Sequence, residues 1–134
     1  MNREIFKSER YFIVFDYLVS HGQLLLRSDK RKGYQKNIDI IFFDTTFVQM
    51  FTMLYGITIS IVDNLKTINY KSVNNYLNQE ENVLFEIISG EEKYYIAASF
   101  VKVFENELEF NETSLGLEHK GQMNIIAQSR KIGG

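Results

Sequence analysis

The sequence predicts a mainly β protein, an antiparallel meander that forms a small barrel or a sandwich, with at most one short helix near 72–79. Eight Tyr and eleven Phe accompany many Ile and Val residues, and such side chains favour pleated, half-buried surfaces. Short apolar runs also recur at intervals of roughly 8–15 residues, mostly separated by turn-forming residues. The choice between barrel and sandwich stays open, because register is well specified only where one face of a strand is polar.

The segment 36–50 contains the strand that we expect at the centre of the sheet. Its residues on both sides of the pleat are apolar: Ile38, Ile40 and Phe42 on one side, and Ile41 and Phe43 on the other. A strand with one solvent face would alternate with polar residues, so this strand is predicted to be covered on both faces. Asp39 interrupts the run, and we interpret it as a surface or edge residue, because charged side chains are seldom fully buried without a partner.

The N-terminal region predicts a hairpin. Residues 4–9 suggest a helical turn or a loop, and residues 11–19 form the first strand. Ser20, His21 and Gly22 supply the turn, since glycine readily takes a positive φ, and the return strand starts at residue 23. One face of the first strand is expected to point into the core; it consists of Tyr11, Ile13, Phe15 and Tyr17.

The later strands follow the same period of two. Residues 47–51 and 56–62 are predicted strands, and residues 82–89 and 93–104 form the clearest hairpin. Side chains are expected to alternate regularly between the two faces along the whole of residues 93–104, so that Ala97 and Ser99 share a face with Val101. Between these regions, Ser72 can cap a short helix over 73–79.

The C-terminal part of the chain predicts an acidic surface and an extension. Residues 105–110 alternate as a strand or ribbon, with an outer row formed by Glu105, Glu107 and Glu109. From residue 111 the apolar pattern weakens. We therefore expect one β-rich domain over residues 1–112 and a C-terminal extension over residues 113–134, packed on the domain or on a neighbouring copy.

Composition argues against an enzyme. The chain has no Cys and two His, His21 and His119, which are far apart in sequence, so a clustered metal site is not expected. No glycine-rich phosphate loop and no nucleophile motif is present. We expect no catalytic residue, no metal and no cofactor.

Charge and hydropathy favour a cytoplasmic protein. Charges interrupt residues 1–10, and no run approaches the ~18 apolar residues of a membrane span. The net charge of −2 makes nucleic acid an unlikely partner, although residues 1–36 carry eight Lys or Arg against four Asp or Glu. This asymmetry, and the absence of Pro to protect strand edges, favour a charged protein partner or a homodimer.

Two function classes remain. The first is a protein-interaction module that uses a sheet face or edge, as toxin-neutralising or regulatory proteins do, with the acidic row as its surface. The second is a carrier of a small apolar ligand, in which a β-barrel encloses an aromatic-lined cavity. The residues expected to line that cavity are Phe15, Tyr17, Phe42, Tyr95 and Phe100.

Overall fold

Nine antiparallel strands form one sheet in the part of the chain that a computed structural model describes, residues 2–62, 83–116 and 118–129. The strands are β1 (Arg3–Leu18), β2 (Gln23–Ser28), β3 (Asn37–Phe43), β4 (Phe47–Gln49), β5 (Met53–Ile61), β6 (Val83–Ser89), β7 (Glu92–Ala98), β8 (Phe100–Asn106) and β9 (Asn124–Gln128). Two 3-10 turns accompany them, Val19–His21 and Lys30–Lys32. The predicted antiparallel β class is confirmed, and the helix predicted near 72–79 lies outside the described residues.

The sheet is open. Its strand order is β4-β7-β6-β5-β1-β2-β3-β8-β9, so β4 and β9 are edges and the strands do not close into a barrel. The long β1 pairs with β5 along most of its length and with β2 near its C-terminal end. The β3–β8 ladder also leads directly into the β4–β7 ladder, through a hydrogen bond from the Ser99 amide to the Phe43 carbonyl. Through these connections the sheet folds over a single main core.

β3 is an interior strand between β2 and β8 and is covered on both faces as predicted, although the middle strand of the nine is β1. Ile40 and Phe42 are buried in the main core, while Ile41 packs on the opposite side with Leu25, Phe104 and Leu115 in a second cluster. Residues 107–116 and 118–122, which we call the strap, cover this second side and contribute Leu115. Both faces of β3 are therefore shielded.

The predicted orientation of the first strand is wrong. Phe12 is fully buried in the main core and Val14 packs against it, whereas Phe15 packs on the other side of the sheet. After the bulge, Tyr17 returns to the main-core side as the partner of Leu24, but it is 46% exposed. Register shifts between Ser8 and Tyr11 and between Val14 and Asp16 re-aim the side chains, as β-bulges do. The expected turn or loop over 4–9 is also wrong, because these residues belong to β1 and most of them pair with β5.

Two other strand predictions need correction. Ala98 and Val101 both enter the main core, although residues three positions apart lie on opposite faces of a regular strand. The irregular Ser99, where the chain passes from β7 to β8, reverses the alternation. The acidic segment is only partly a strand, since β8 ends at Asn106. Residues 124–128, which showed no strand pattern, pair with β8 as β9.

No helix among the described residues has both the length and the apolar character needed to cross a lipid bilayer.

Candidate functional site: an apolar sheet face and an adjoining cleft

An exposed apolar surface lies on the side of β1 and β5 that faces away from the main core. Tyr11 pairs with Tyr55 and Ile13 with Met53 in the β1–β5 ladder, so their side chains share one face of the sheet. The Tyr11 and Tyr55 rings have centroids 4.8 Å apart. Tyr55 is 75% exposed and Met53 51%. We call this set, with the neighbouring exposed Phe51, the outer face.

A cleft of about 260 Å³ adjoins the outer face and shares Tyr11 and Ile13 with it. Phe15 is the extra residue of the bulge in the β1–β2 ladder, and it lines the cleft. Phe110 of the strap forms the other wall, with its ring edge-on to Phe15 at a centroid distance of 6.4 Å. Three charged residues complete the lining: Arg27, Asp29 and Arg31.

A buried ion pair lies beneath the cleft. Arg27 donates to both carboxylate oxygens of Asp39, from Nε at 2.7 Å and from Nη2 at 2.8 Å, and both side chains are almost completely buried. Asp39 also accepts a hydrogen bond from the Asn106 amide at 2.9 Å. The interpretation of Asp39 as a surface or edge residue is therefore wrong. Burial of this carboxylate is tolerated because it is paired and hydrogen-bonded.

The same network ties the strap to the sheet. Arg27 Nη1 donates to the Glu112 carbonyl at 2.7 Å. The Asn37 amide donates to the Asn106 side chain at 2.8 Å and to the Leu108 carbonyl at 2.9 Å. These bonds hold the strap, and hence Phe110, beside β1.

Each arginine around the cleft lies over an aromatic ring. The guanidinium carbon of Arg27 is 4.1 Å from the Phe15 ring centroid, and that of Arg31 is 3.9 Å from the Phe110 centroid. Next to the cleft, Arg10 lies 3.7 Å from the Tyr34 centroid. Stacking of this kind keeps a guanidinium in place while its edge stays able to donate hydrogen bonds.

Asp29 remains ionised in this setting. Its partial burial by itself would raise the pKa, but hydrogen bonds from the Arg31 amide and side chain, with the charges of Arg31 and Arg27, lower the pKa below its ordinary value. For Arg10, burial is the largest of the influences on the guanidinium, and it lowers the pKa of this group. Arginine nevertheless stays protonated at any physiological pH.

The acidic row is spread over two environments. Glu105 lies at the end of β8, where the Asn124 amide donates to it at 3.4 Å. Glu107 and Glu109 are exposed residues of the strap. Lys30 reaches this part of the strap, donating to the Glu107 carbonyl at 2.6 Å and lying 3.7 Å from the Glu109 carboxylate.

The five aromatic residues predicted to line a cavity lie in separate places. Phe15 lines the cleft and Tyr17 is exposed. Phe42 is part of the main core, Tyr95 packs with the smaller cluster that contains Leu84, and Phe100 stacks on Phe43 at 4.5 Å. The described residues do not arrange these five side chains around a common cavity.

Sequence reasoning missed most of the site. Arg27 and Asp39 carried a usable signal, since opposite charges interrupt two apolar strands and become partners at positions 27 and 39 of the β2–β3 ladder. Met53 and Tyr55 fall between the predicted strands 47–51 and 56–62, whereas both belong to β5. Phe110 gave no signal, because its position depends on how the strap folds back.

Comparison of the chain with protein-family models, with curated proteins and with solved structures gave no match.

Proposed function

We propose that the protein is a non-enzymatic interaction module that binds another protein through its outer face. The observation that carries the proposal is a continuous apolar surface across paired strands, in which the half-buried Tyr11 and Ile13 lie beside the exposed Met53 and Tyr55. Contiguous exposed apolar surface favours burial against a partner, at roughly 25 cal/mol for each Å² removed from water.

Charge favours a partner with acidic residues beside its apolar ones. Arg31 is 59% exposed at the cleft, and Arg10 makes hydrogen bonds to the Ser28 side chain and to the Ser28 and Lys36 carbonyls. The ion pair of Arg31 with Asp29 uses only its Nε, and Arg10 makes no ion-pair contact with a carboxylate of the described residues. Complementary charge at the edge of an apolar contact increases the association rate and the specificity. Toxin-neutralising and regulatory proteins both act by covering a partner's surface in this way.

The carrier alternative draws less support. It requires an enclosed apolar cavity, whereas the cleft is open and contains only one of the five aromatic residues expected to line it. The outer face therefore remains the better candidate.

The outer face can be tested by photo-crosslinking in the cells that naturally make the protein. A benzoylphenylalanine placed at Tyr55 should form adducts with a specific protein. The same group at Val19, which is 80% exposed and roughly 20 Å along the strand from Ile13, is the matched control. Proteins recovered at both positions are non-specific.

Binding by the purified partner then decides the proposal. Met53→Lys and Tyr55→Lys should each raise the Kd at least tenfold, measured by calorimetry, while Val19→Lys should leave it unchanged; both outer-face positions are exposed, so the fold should persist. Equal affinity for all variants would overturn the proposal. So would the absence of a Tyr55-specific adduct, or adducts formed only with a second copy of this chain.

A further inference from the structure

We infer that the cleft receives an aromatic or aliphatic side chain of the partner together with a neighbouring carboxylate. This inference rests on the proposed function and adds the chemistry that the partner must present.

The hydrogen-bond donors of Arg27 favour a carboxylate as the ligand of the cleft. A guanidinium has five N–H groups, and three of those on Arg27 have acceptors: two on Asp39 and one on Glu112. Each nitrogen thus has one acceptor, but the second N–H of Nη1 and that of Nη2 have none among the described residues, although the side chain is only 1% exposed. A buried donor without an acceptor is unfavourable, and Arg27 lines the cleft. An acceptor entering the cleft would satisfy it.

Arg31, which also lines the cleft, supplies further donors. Its Nε donates to Asp29 at 3.2 Å, and its two terminal nitrogens make no hydrogen bond within the described residues. Phe110 lies under the plane of this guanidinium. A planar fork of N–H groups matches a carboxylate in geometry as well as charge, so Arg27 and Arg31 together favour this acceptor over an amide.

The charges around the cleft are nearly balanced and are compatible with an anionic ligand. The charge of Arg27 is neutralised by Asp39, and the charge of Arg31 is offset by that of Asp29. Arg10 adds positive charge beside the cleft, where Glu105 and Asp29 act on it without an ion-pair contact. The cleft is therefore not acidic, and the unused donors decide which ligand it prefers.

The size of the cleft indicates an apolar group next to the carboxylate. A cavity of about 150 Å³ accommodates benzene, so the cleft of about 260 Å³ has room for a phenyl-sized group and a carboxylate. Tyr11, Ile13, Phe15 and Phe110 provide the apolar walls. Since Tyr11 and Ile13 also belong to the outer face, one partner segment can occupy both surfaces.

The inference can be tested with 3-phenylpropionate as the probe and 3-phenylpropionamide as its uncharged match. Titration of the ¹⁵N-labelled chain, followed by NMR, should shift the amides of Ile13, Arg27 and Phe110, and the acid should bind at least tenfold more tightly than the amide. The inference would be overturned if the acid and the amide bound equally, or if the shifts were confined to other surfaces. It would also be overturned if no amide shifted at about 10 mM probe, since a Kd above 1 mM corresponds to less than about 4 kcal/mol of binding free energy.

Variants at exposed positions avoid the risk of unfolding. Arg31→Met and Phe110→Ala should each weaken binding of the acid at least fivefold, whereas Lys93→Met, which removes an exposed cation from the β6–β7 hairpin, should not. Unchanged binding in Arg31→Met and Phe110→Ala would overturn the inference even if the probe binds.

A last comparison separates this inference from the proposed function. Met53→Lys should weaken partner binding at least tenfold but leave the probe affinity unchanged. Arg31→Met should weaken both, and 3-phenylpropionate should compete with the partner. If the partner binds the outer face but ignores Arg31→Met and the probe, the proposed function stands and this inference fails. If the acid binds while partner binding does not depend on Arg31, the cleft serves a free acid and the inference also fails.

Discussion

Arg27 shows how far a residue's environment can depart from its sequence context. It follows three leucines in β2, yet it is one of the largest fully buried side chains among the described residues. Its partner Asp39 lies in an equally apolar strand. Each charge is tolerated only because the other is present, since an isolated buried ion carries a large desolvation penalty.

We therefore expect single substitutions of this pair to be much more harmful than the double substitution. Arg27→Met or Asp39→Leu should each lower the free energy of unfolding by about 3–5 kcal/mol, because each leaves an unpaired buried charge. The variant with both changes should recover most of that loss. Urea denaturation of all four proteins gives the coupling energy, and strictly additive effects would contradict the buried pair.

At the scale of elements, the hairpin between β1 and β2 depends on one glycine. Gly22 has a φ of +55°, and its carbonyl accepts a hydrogen bond from the Thr45 amide at 2.9 Å. This contact joins the hairpin to the bend between β3 and β4. The predicted turn is confirmed, but its close approach to Thr45 was not evident from the local sequence.

Gly22→Ala should therefore be more destabilising than the equivalent change at Gly90. Both glycines have a positive φ, so each variant carries a conformational cost of about 1 kcal/mol or more. A Cβ at Gly22 would also lie 3.0 Å from the Thr45 nitrogen, whereas nothing lies within 4 Å at Gly90. Thermal unfolding should place the Gly22 variant below the Gly90 variant, and equal melting temperatures would argue against the contact.

At the scale of the whole molecule, the sheet is folded so that distant strands meet. β3 and β6 have three strands between them in the sheet, which in a flat sheet would separate them by roughly 19 Å. The rings of Phe42 and Phe85 nevertheless meet edge to face, with centroids 5.5 Å apart. This contact closes the main core.

A double-mutant cycle can detect this folding over. Phe42→Leu and Phe85→Leu should show a coupling energy of about 0.5–1.5 kcal/mol, as expected for an aromatic pair in contact. Phe42→Leu combined with Phe51→Leu is the matched control, because Phe51 is 68% exposed and is not part of the main core. Zero coupling between Phe42 and Phe85 would mean that the two halves of the sheet do not pack together.

Local residue patterns were sufficient for the antiparallel β class, for an interior β3 covered on both faces and for the β6–β7 hairpin. These features follow from side-chain alternation and turn residues, which act within a few positions. The patterns failed for β1, because both of its faces are apolar, and hydrophobicity alone cannot then choose the buried side. Of the cleft, only Phe15 was among the candidate residues.

The tertiary structure settled the rest: which face of β1 remains exposed, that Asp39 is paired with Arg27, and that the strap brings Phe110 to the cleft. Each depends on residues far apart in the chain or on bulges that shift the register by one position. A single such shift transfers a side chain from the core to the surface. The outer face and the cleft are therefore products of long-range packing, while the β architecture is a product of local composition.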